Sequence, residues 1–344
     1  MSKNILLIKL GAIGDVLRTT SLLNGIKEKY NECKITWLTK KGSKEVLLNN
    51  PLIDEIIVFD ENEKEIKNKK FDVIINLDED MNVCELVKDI NAERIGFYVK
   101  NGEVLPTETA KKWNDMGALG NYPMNNILKK ANKKTYQELM FEIIQTSPKN
   151  KKPIFNLTDK EKNFAENFFL KNNLKNGKII MGMNTGSGGR WQYKKWGIEN
   201  TSKLIDGICE EFDVNILLLG GPEEVERNNK IKSLTKARIV DAGTNNSIRE
   251  FASLISLCDM IITSDSLAMH IAIALNKYVI VFFGPTSLAE IEIYGEGEKI
   301  EADIECVCCY LTKCSKSPTC MDKLTVDIMF KAVRRGMNRI RYDK

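Results

Sequence analysis

Four stretches of this 344-residue chain hold side chains whose types and spacing can do chemistry. In Lys9-Leu-Gly11-Ala-Ile-Gly14-Asp15 the glycines permit a tight turn and a close approach by a ligand, and a carboxylate follows at the start of a helix. Asp15 can take a proton from an incoming hydroxyl, or it can simply cap the helix. The second stretch runs from Met183 through Thr185-Gly186-Ser187-Gly188-Gly189-Arg190 to Lys194-Lys195-Trp196. Its glycines leave backbone amides open and its basic residues add charge, which is what a phosphate cradle requires; a solvated basic loop is the alternative. Third, Leu219-Gly-Gly-Pro-Glu223-Glu224 puts two carboxylates in the first turn of a helix. They can accept ribose hydroxyls or favour the helix dipole. Fourth, Met260–Leu275 reads as a short apolar strand, a turn and a helix, with Asp265 or Ser264 as its cap. In an open parallel sheet, the first-turn N–H groups of such a helix face anionic ligands. His270, five residues beyond Asp265, is the only histidine in the chain. None of these stretches has the Walker pattern or the full dinucleotide fingerprint.

These loops need strands and helices to position them, and the apolar pattern supplies both. Strands are expected at Asn4–Leu10, Lys34–Thr39, Glu55–Asp60, Asp72–Asp78 and Arg94–Val99, with one helix from Val16 to Tyr30 and others between strands. Residues 100–130 lack periodicity and hold Trp113, Gly117, Gly120 and Pro123, as a functional loop would. Ser147–Pro153 has the composition of a linker. Beyond it, strands at Lys178–Met183, Asn215–Gly220, Arg238–Asp241, Met260–Thr263 and Tyr278–Phe283 alternate with helices, and a basic helix, Val326–Ile340, closes the chain. This is the β-α alternation of doubly wound parallel sheets. The expected divisions are a first α/β domain at 1–150, a second at 151–322, and a terminal helix at 323–344.

The bulk numbers describe an ordinary globular protein, 43% hydrophobic and 28% charged. Its 51 basic and 47 acidic residues are well mixed, so the net charge of +4 does not argue for nucleic acid as a partner and is compatible with a phosphate-bearing one. The chain opens directly into a strand, without a signal-peptide pattern, and no apolar run reaches the roughly 18 residues of a membrane helix. A cytoplasmic protein is expected, with peripheral contact to the inner face of a membrane through basic side chains.

Taken together, Lys-Leu-Gly-Ala-Ile-Gly-Asp, the Gly/Lys loop ending in Lys-Lys-Trp, Leu-Gly-Gly-Pro-Glu and Ser-Asp-Ser-Leu-Ala-Met-His resemble glycosyltransferase family 9, the heptosyltransferases, from residue 4 to about 290. The resemblance implies the GT-B architecture: two Rossmann-like domains facing across a cleft, with the terminal helix returning to the first. It implies an inverting, metal-independent transfer from a nucleotide-diphosphate sugar, usually ADP-heptose, onto a glycan, lipopolysaccharide-core or protein hydroxyl. By position Asp15 matches the catalytic base, in a loop shaped by Gly11 and Gly14 on the acceptor side. Lys194 matches the phosphate-binding lysine, with Lys195 its rival and Arg190 adding charge. Thr185 and Ser187 would add hydroxyl contacts, and Glu223 or Glu224 would hold the nucleoside. Asp265, Ser266, Ala268, Met269 and His270 match the donor-binding motif, with Leu267 standing where family members often have glycine. A UDP- or GDP-sugar donor, an epimerase and a non-catalytic nucleotide-sugar-binding protein are the competing readings.

Five of nine cysteines crowd into residues 306–320. Four of them, Cys306, Cys309, Cys314 and Cys320, suit a structural zinc or iron, and reduced thiols or a local disulfide are the alternatives. Transfer itself would need no cofactor.

Overall fold

In this computed structural model residues 2–61, 63–117, 124–149, 151–174 and 177–342 are described. The chain divides into two compact units, Met1–Asn156 and Leu157–Lys344. The division falls slightly beyond the expected linker because the chain after Pro153 is still tied to the first unit. Ile154 donates its N–H to Thr20 Oγ1 at 2.7 Å, and Asn156 donates to the Asn49 carbonyl at 3.0 Å.

The first unit is a six-stranded sheet of order β3-β2-β1-β4-β5-β6. Its strands are β1 Lys3–Ile8, β2 Cys33–Thr39, β3 Glu55–Val58, β4 Val73–Asn76, β5 Glu93–Lys100 and β6 Glu103–Pro106. Only β6 runs antiparallel, hairpinned onto β5. Ile5 to Ile8 are fully buried, as a strand covered on both faces should be. The second unit has β7 Ile179–Asn184, β8 Val214–Leu219, β9 Ile239–Asp241, β10 Met260–Ser264, β11 Tyr278–Phe283 and β12 Gly297–Glu301. Its order is β12-β11-β10-β7-β8-β9, all parallel. Counted from its own first strand, each sheet runs 3-2-1-4-5-6, the doubly wound order. In that order connections depart in opposite directions from strands 1 and 4, and ligands bind outside the carboxyl ends of that pair. The pairs are β1/β4 and β7/β10. Asp15 follows β1, Asp78 follows β4, the Gly/Lys loop follows β7, and Asp265 follows β10.

Three sequence expectations change. The helix expected at Val16–Tyr30 is two helices, Ile13–Thr19 and Leu22–Tyr30. Between them Thr20 Oγ1 donates to the Leu17 carbonyl and Ser21 Oγ to the Arg18 carbonyl. Such hydroxyl back-bonds compete with the helical ladder and bend it. The stretch 100–130 is not a bare loop. It contains β6 and the helices Lys111–Gly117 and Met124–Ala131; Gly120 and Pro123 lie outside the described residues. β12 was not foreseen, because Gly297-Glu-Lys-Ile-Glu301 carries too little apolar signal for an edge strand. The last helix, Val326–Tyr342, buries Met329, Ala332, Val333 and Met337 in the core of the second unit. No helix among the described residues is long and apolar enough to cross a membrane.

Candidate functional site

In the first unit the loop after β1 is held from behind. Leu10 and Gly11 donate their N–H groups to Asp78 Oδ2 at 2.8 and 3.0 Å. Lys9 Nζ donates to the Leu77 carbonyl at 2.9 Å and lies 3.6 Å from Asp78. Burial opposes the Lys9 charge, but the Asp78 and Asp15 carboxylates help to hold the ammonium above its ordinary range. The helix opens at Ala12 without a side-chain cap, and Gly14 lies inside its first turn. Asp15 is therefore not the cap. Its carboxylate, about a third exposed, pairs with Arg18 Nη2 at 2.8 Å.

In the second unit the loop after β7 is more tightly occupied than its glycines suggested. Asn184 Nδ2, buried at the end of the strand, lies within hydrogen-bond distance of the Gly186 carbonyl (2.9 Å), Thr263 Oγ1 (2.9 Å) and Ser266 Oγ (3.3 Å). Thr185 donates its hydroxyl to Asn228 Oδ1 at 2.6 Å, and Ser187 donates to the Trp191 carbonyl at 2.9 Å. The hydroxyl protons expected for a ligand are thus committed inside the protein. The glycines face carboxylates. A Cβ on Gly186 would lie 2.6 Å from Glu224 Oε2, and one on Gly189 would lie 2.7 Å from Glu223 Oε2. At Gly186 the close approach of buried Glu224 leaves no room for a side chain, whereas at Gly189 only the end of the exposed Glu223 would have to move.

The charges of this loop divide. Lys195 pairs with Glu224 at 2.7 Å, both side chains less than 10% exposed. Glu224 also accepts the Gly221 N–H, so of the two glutamates Glu223 is the exposed one. Lys194 turns the other way, to Asp265 Oδ2 at 2.8 Å. Lys194 Nζ and the exposed Arg190 lie 5.1 and 5.2 Å from the ring centre of Trp191. Trp196 anchors the turn: its ring is in the core and its Nε1–H donates to the Leu324 carbonyl at 2.7 Å.

Across the β7/β10 pair, Asp265 is not the helix cap. The helix Leu267–Ala274 starts after Ser266, which makes no side-chain cap. Thr263 donates its single hydroxyl proton to the Ser264 carbonyl, so the Ser266 hydroxyl is the donor in their 2.9 Å contact. The first turn therefore presents N–H groups without a side-chain acceptor at the carboxyl end of β10. Burial pushes the Asp265 carboxyl up, but Lys194 and His270 outweigh it and hold it at about 2. His270 is buried, with Nε2 4.0 Å from Asp265 Oδ1. Ala268 and Met269 are buried in the helix and place backbone, not side chain, at its opening.

The cysteine-rich segment is stitched to the same end of the second sheet. Cys308 N–H donates to the Gly284 carbonyl, Tyr310 N–H to the Pro285 carbonyl, and Tyr193 Oη lies 3.4 Å from the Cys314 carbonyl. Burial, then the neighbouring Cys309, Cys314 and Cys306, push the Cys320 thiol up to about 11, so the four thiols share one neighbourhood. Among the described residues, however, no group of three or more His, Cys, Asp or Glu side chains stands arranged to hold a metal ion.

The glycosyltransferase family 9 (heptosyltransferase) model matches residues 61–319, three quarters of the chain. The chain belongs to glycosyltransferase family 9. It is 26% identical over 169 residues to lipooligosaccharide heptosyltransferase 2 of Campylobacter jejuni, covering 47% of this chain and 52% of that one. The match thus spans about half the length of the first curated relatives. Among solved structures, the glycosyl transferase family 9 protein of Veillonella parvula has the same fold, with a TM-score of 0.82 at 18% identity over 98% of each chain. The E. coli ADP-heptose lps heptosyltransferase II also shares it, with a TM-score of 0.69 at 16% identity over 98% of this chain and 99% of that one. The doubly wound units of this family 9 chain are the two Rossmann-like domains expected of a GT-B protein.

The arrangement offers a carboxylate beside a cation at the first switch point. At the second it offers a cation beside a helix amino terminus. The first suits proton acceptance and the second suits a diphosphate. Residues that sequence reasoning missed are Lys9, Arg18, Asp78, Asn184 and Trp191. Arg18, three residues after Asp15 on one helix, was findable from spacing; Asp78 and Asn184 act through the fold and left no local signal.

Proposed function

We propose that this protein is an inverting glycosyltransferase that moves heptose from ADP-heptose onto a hydroxyl of a glycan, a lipopolysaccharide core or a protein, at the inner face of the cytoplasmic membrane. The observation that carries the reading is Lys194 beside the uncapped helix Leu267–Ala274 at the carboxyl end of β10. A cation and free amide N–H groups together answer the charge that grows on a leaving diphosphate. Asp15, at the same position of the other sheet, would take the proton of the acceptor hydroxyl as its oxygen attacks the anomeric carbon. An ionised carboxylate is a weak base, so acceptor orientation must contribute much of the rate. Glu223, the exposed glutamate beside Gly189, would receive the nucleoside. Lys194 must exchange Asp265 for phosphate oxygens, or share itself between them. The heptosyltransferase names of the C. jejuni and E. coli relatives favour ADP-heptose as the donor.

Thermal unfolding against ADP, UDP, GDP and their sugars tests the donor, because a ligand bound only by the folded state raises its stability. A shift with ADP and ADP-heptose alone is expected. A shift with UDP or GDP ligands instead would replace the donor and keep the fold. No shift with any of them would favour a protein that has lost the donor site.

A further inference from the structure

We propose that Arg18 is the positioning residue of Asp15, and that Tyr136 holds Arg18 in place. The inference rests on the reading of Asp15 as the base. Arg18 meets the Asp15 carboxylate at 2.8 Å with only a tenth of its side chain exposed. An exposed i,i+3 ion pair contributes little; here the Arg18 side is withdrawn from water and built upon, while the Asp15 carboxylate stays about a third exposed. The Arg18 guanidinium lies over the Tyr136 ring, its carbon 3.6 Å from the ring centre. Trp113 meets the same ring edge-on at 5.5 Å. Tyr136 itself is fixed at the start of the helix Tyr136–Ile144, where Thr135 and Glu138 form a capping box.

The hydroxyl of Tyr136 makes a second connection. It lies 2.6 Å from Thr19 Oγ1, which donates to the Asp15 carbonyl at 2.6 Å. Thr19 has one hydroxyl proton, so the phenol is the donor between them. Burial keeps the phenol protonated, as that bond requires. Tyr136 thus grips the turn that carries Asp15 twice, through Arg18 to the carboxylate and through Thr19 to the backbone. The other ionisable groups around this turn are Lys9 at the end of β1 and, beyond β4, Asp78 and Glu79. A proton acceptor with an unfixed carboxylate loses the orientation on which a weak base depends.

The test is ADP release from ADP-heptose across pH, with O-deacylated, heptose-free lipopolysaccharide core as the acceptor probe. The variants are Arg18→Gln, Arg18→Lys, Tyr136→Phe and Asp15→Asn. Arg18→Gln is expected to lower kcat on the order of tenfold or more, with KM for the donor within about twofold. The acid limb of kcat/KM should move up by about one pH unit, because a cation beside a carboxylate favours its ionised form. Arg18→Lys should restore the limb but only part of kcat, and Tyr136→Phe, which keeps the ring, should lose less than Arg18→Gln. Parent-like kcat and limb in Arg18→Gln would overturn the proposal, as would a loss confined to KM. If Arg18→Gln does not fold, parent-like kcat in both Arg18→Lys and Tyr136→Phe would do the same. Full activity in Asp15→Asn would instead remove the base reading. If the parent releases no ADP, the donor or acceptor assignment fails on its own. The pairing is then read from the carbon-13 titration of the Asp15 carboxyl, assigned by its loss in Asp15→Asn; an unmoved midpoint in Arg18→Gln would overturn it.

Discussion

Lys194 Nζ lies 2.8 Å from Asp265 Oδ2 and 3.2 Å from the Asp265 carbonyl, so the cation proposed to face a diphosphate already faces a carboxylate from the neighbouring strand's loop. The pair joins the two loops of the β7/β10 switch point. It also points the ammonium at the helix opening before any ligand arrives, and sets up a competition when one does.

That pairing has a pH signature. Asp265 stands at about 2 in the folded protein, below its ordinary value of 3.8. A carboxyl lowered on folding contributes stability above its unfolded value, and loses it as pH falls through the folded one. The contribution here is about 2 kcal/mol. Urea unfolding from pH 5 to 2 should therefore fall more steeply for the parent than for Asp265→Asn. Parallel curves would show that the pair adds nothing to the fold.

Lys194 and Lys195 should separate cleanly. Lys195→Met strands the buried Glu224 carboxylate and should cost about 3 kcal/mol, with turnover kept in the protein that remains folded. Adding Glu224→Leu should recover much of that loss. Lys194→Met should lower transfer about 100-fold, since it removes charge aimed at the leaving group. Chemical denaturation and kcat on the same samples check both, and loss of turnover in folded Lys195→Met with activity kept in Lys194→Met would exchange their roles.

The two loop glycines should differ in their cost. Gly186→Ala must displace Glu224, which is buried and paired with Lys195, and should lose about 1–3 kcal/mol. Gly189→Ala meets only the end of the exposed Glu223 and should be milder. Comparable melting temperatures for the two variants would contradict the assignment of Glu224 as the rigid neighbour.

Chelation should leave transfer unchanged. On the proposed reading, Lys194 and the helix Leu267–Ala274 would supply the charge that a divalent cation otherwise brings to a diphosphate. Turnover after dialysis against a chelator, with and without added magnesium or manganese, is the measurement. A loss restored by either ion would mean that Lys194 is insufficient.

Much of the fold was legible because both sheets are parallel and buried, and buried strands announce themselves as apolar runs: Ile5–Ile8 and Val279–Phe283 could hardly be anything else. Of the four edge strands β3 and β9 were expected, but β6 and β12 were not, because Glu103–Pro106 offers only Val104 and Leu105 as apolar signal and Gly297–Glu301 only Ile300. The site was legible as a set of loops but not as a set of bonds. Asp15, Lys194 and Asp265 stand where the doubly wound order puts ligands. Their partners were hidden, since pairing Lys194 with Asp265 or Lys9 with Asp78 spans about seventy positions of sequence. Thr185 and Ser187 were expected to meet a ligand, yet their hydroxyls hold the loop itself.

The contact of Gly186 with Glu224 reaches beyond this one chain. At 186 a side chain would stand where the buried Glu224 carboxylate already lies, whereas at 189 only the movable end of Glu223 is in the way. Positions 186 and 224 are then not independent letters. In the divergence of such proteins a larger residue at 186 should appear together with a shorter one at 224.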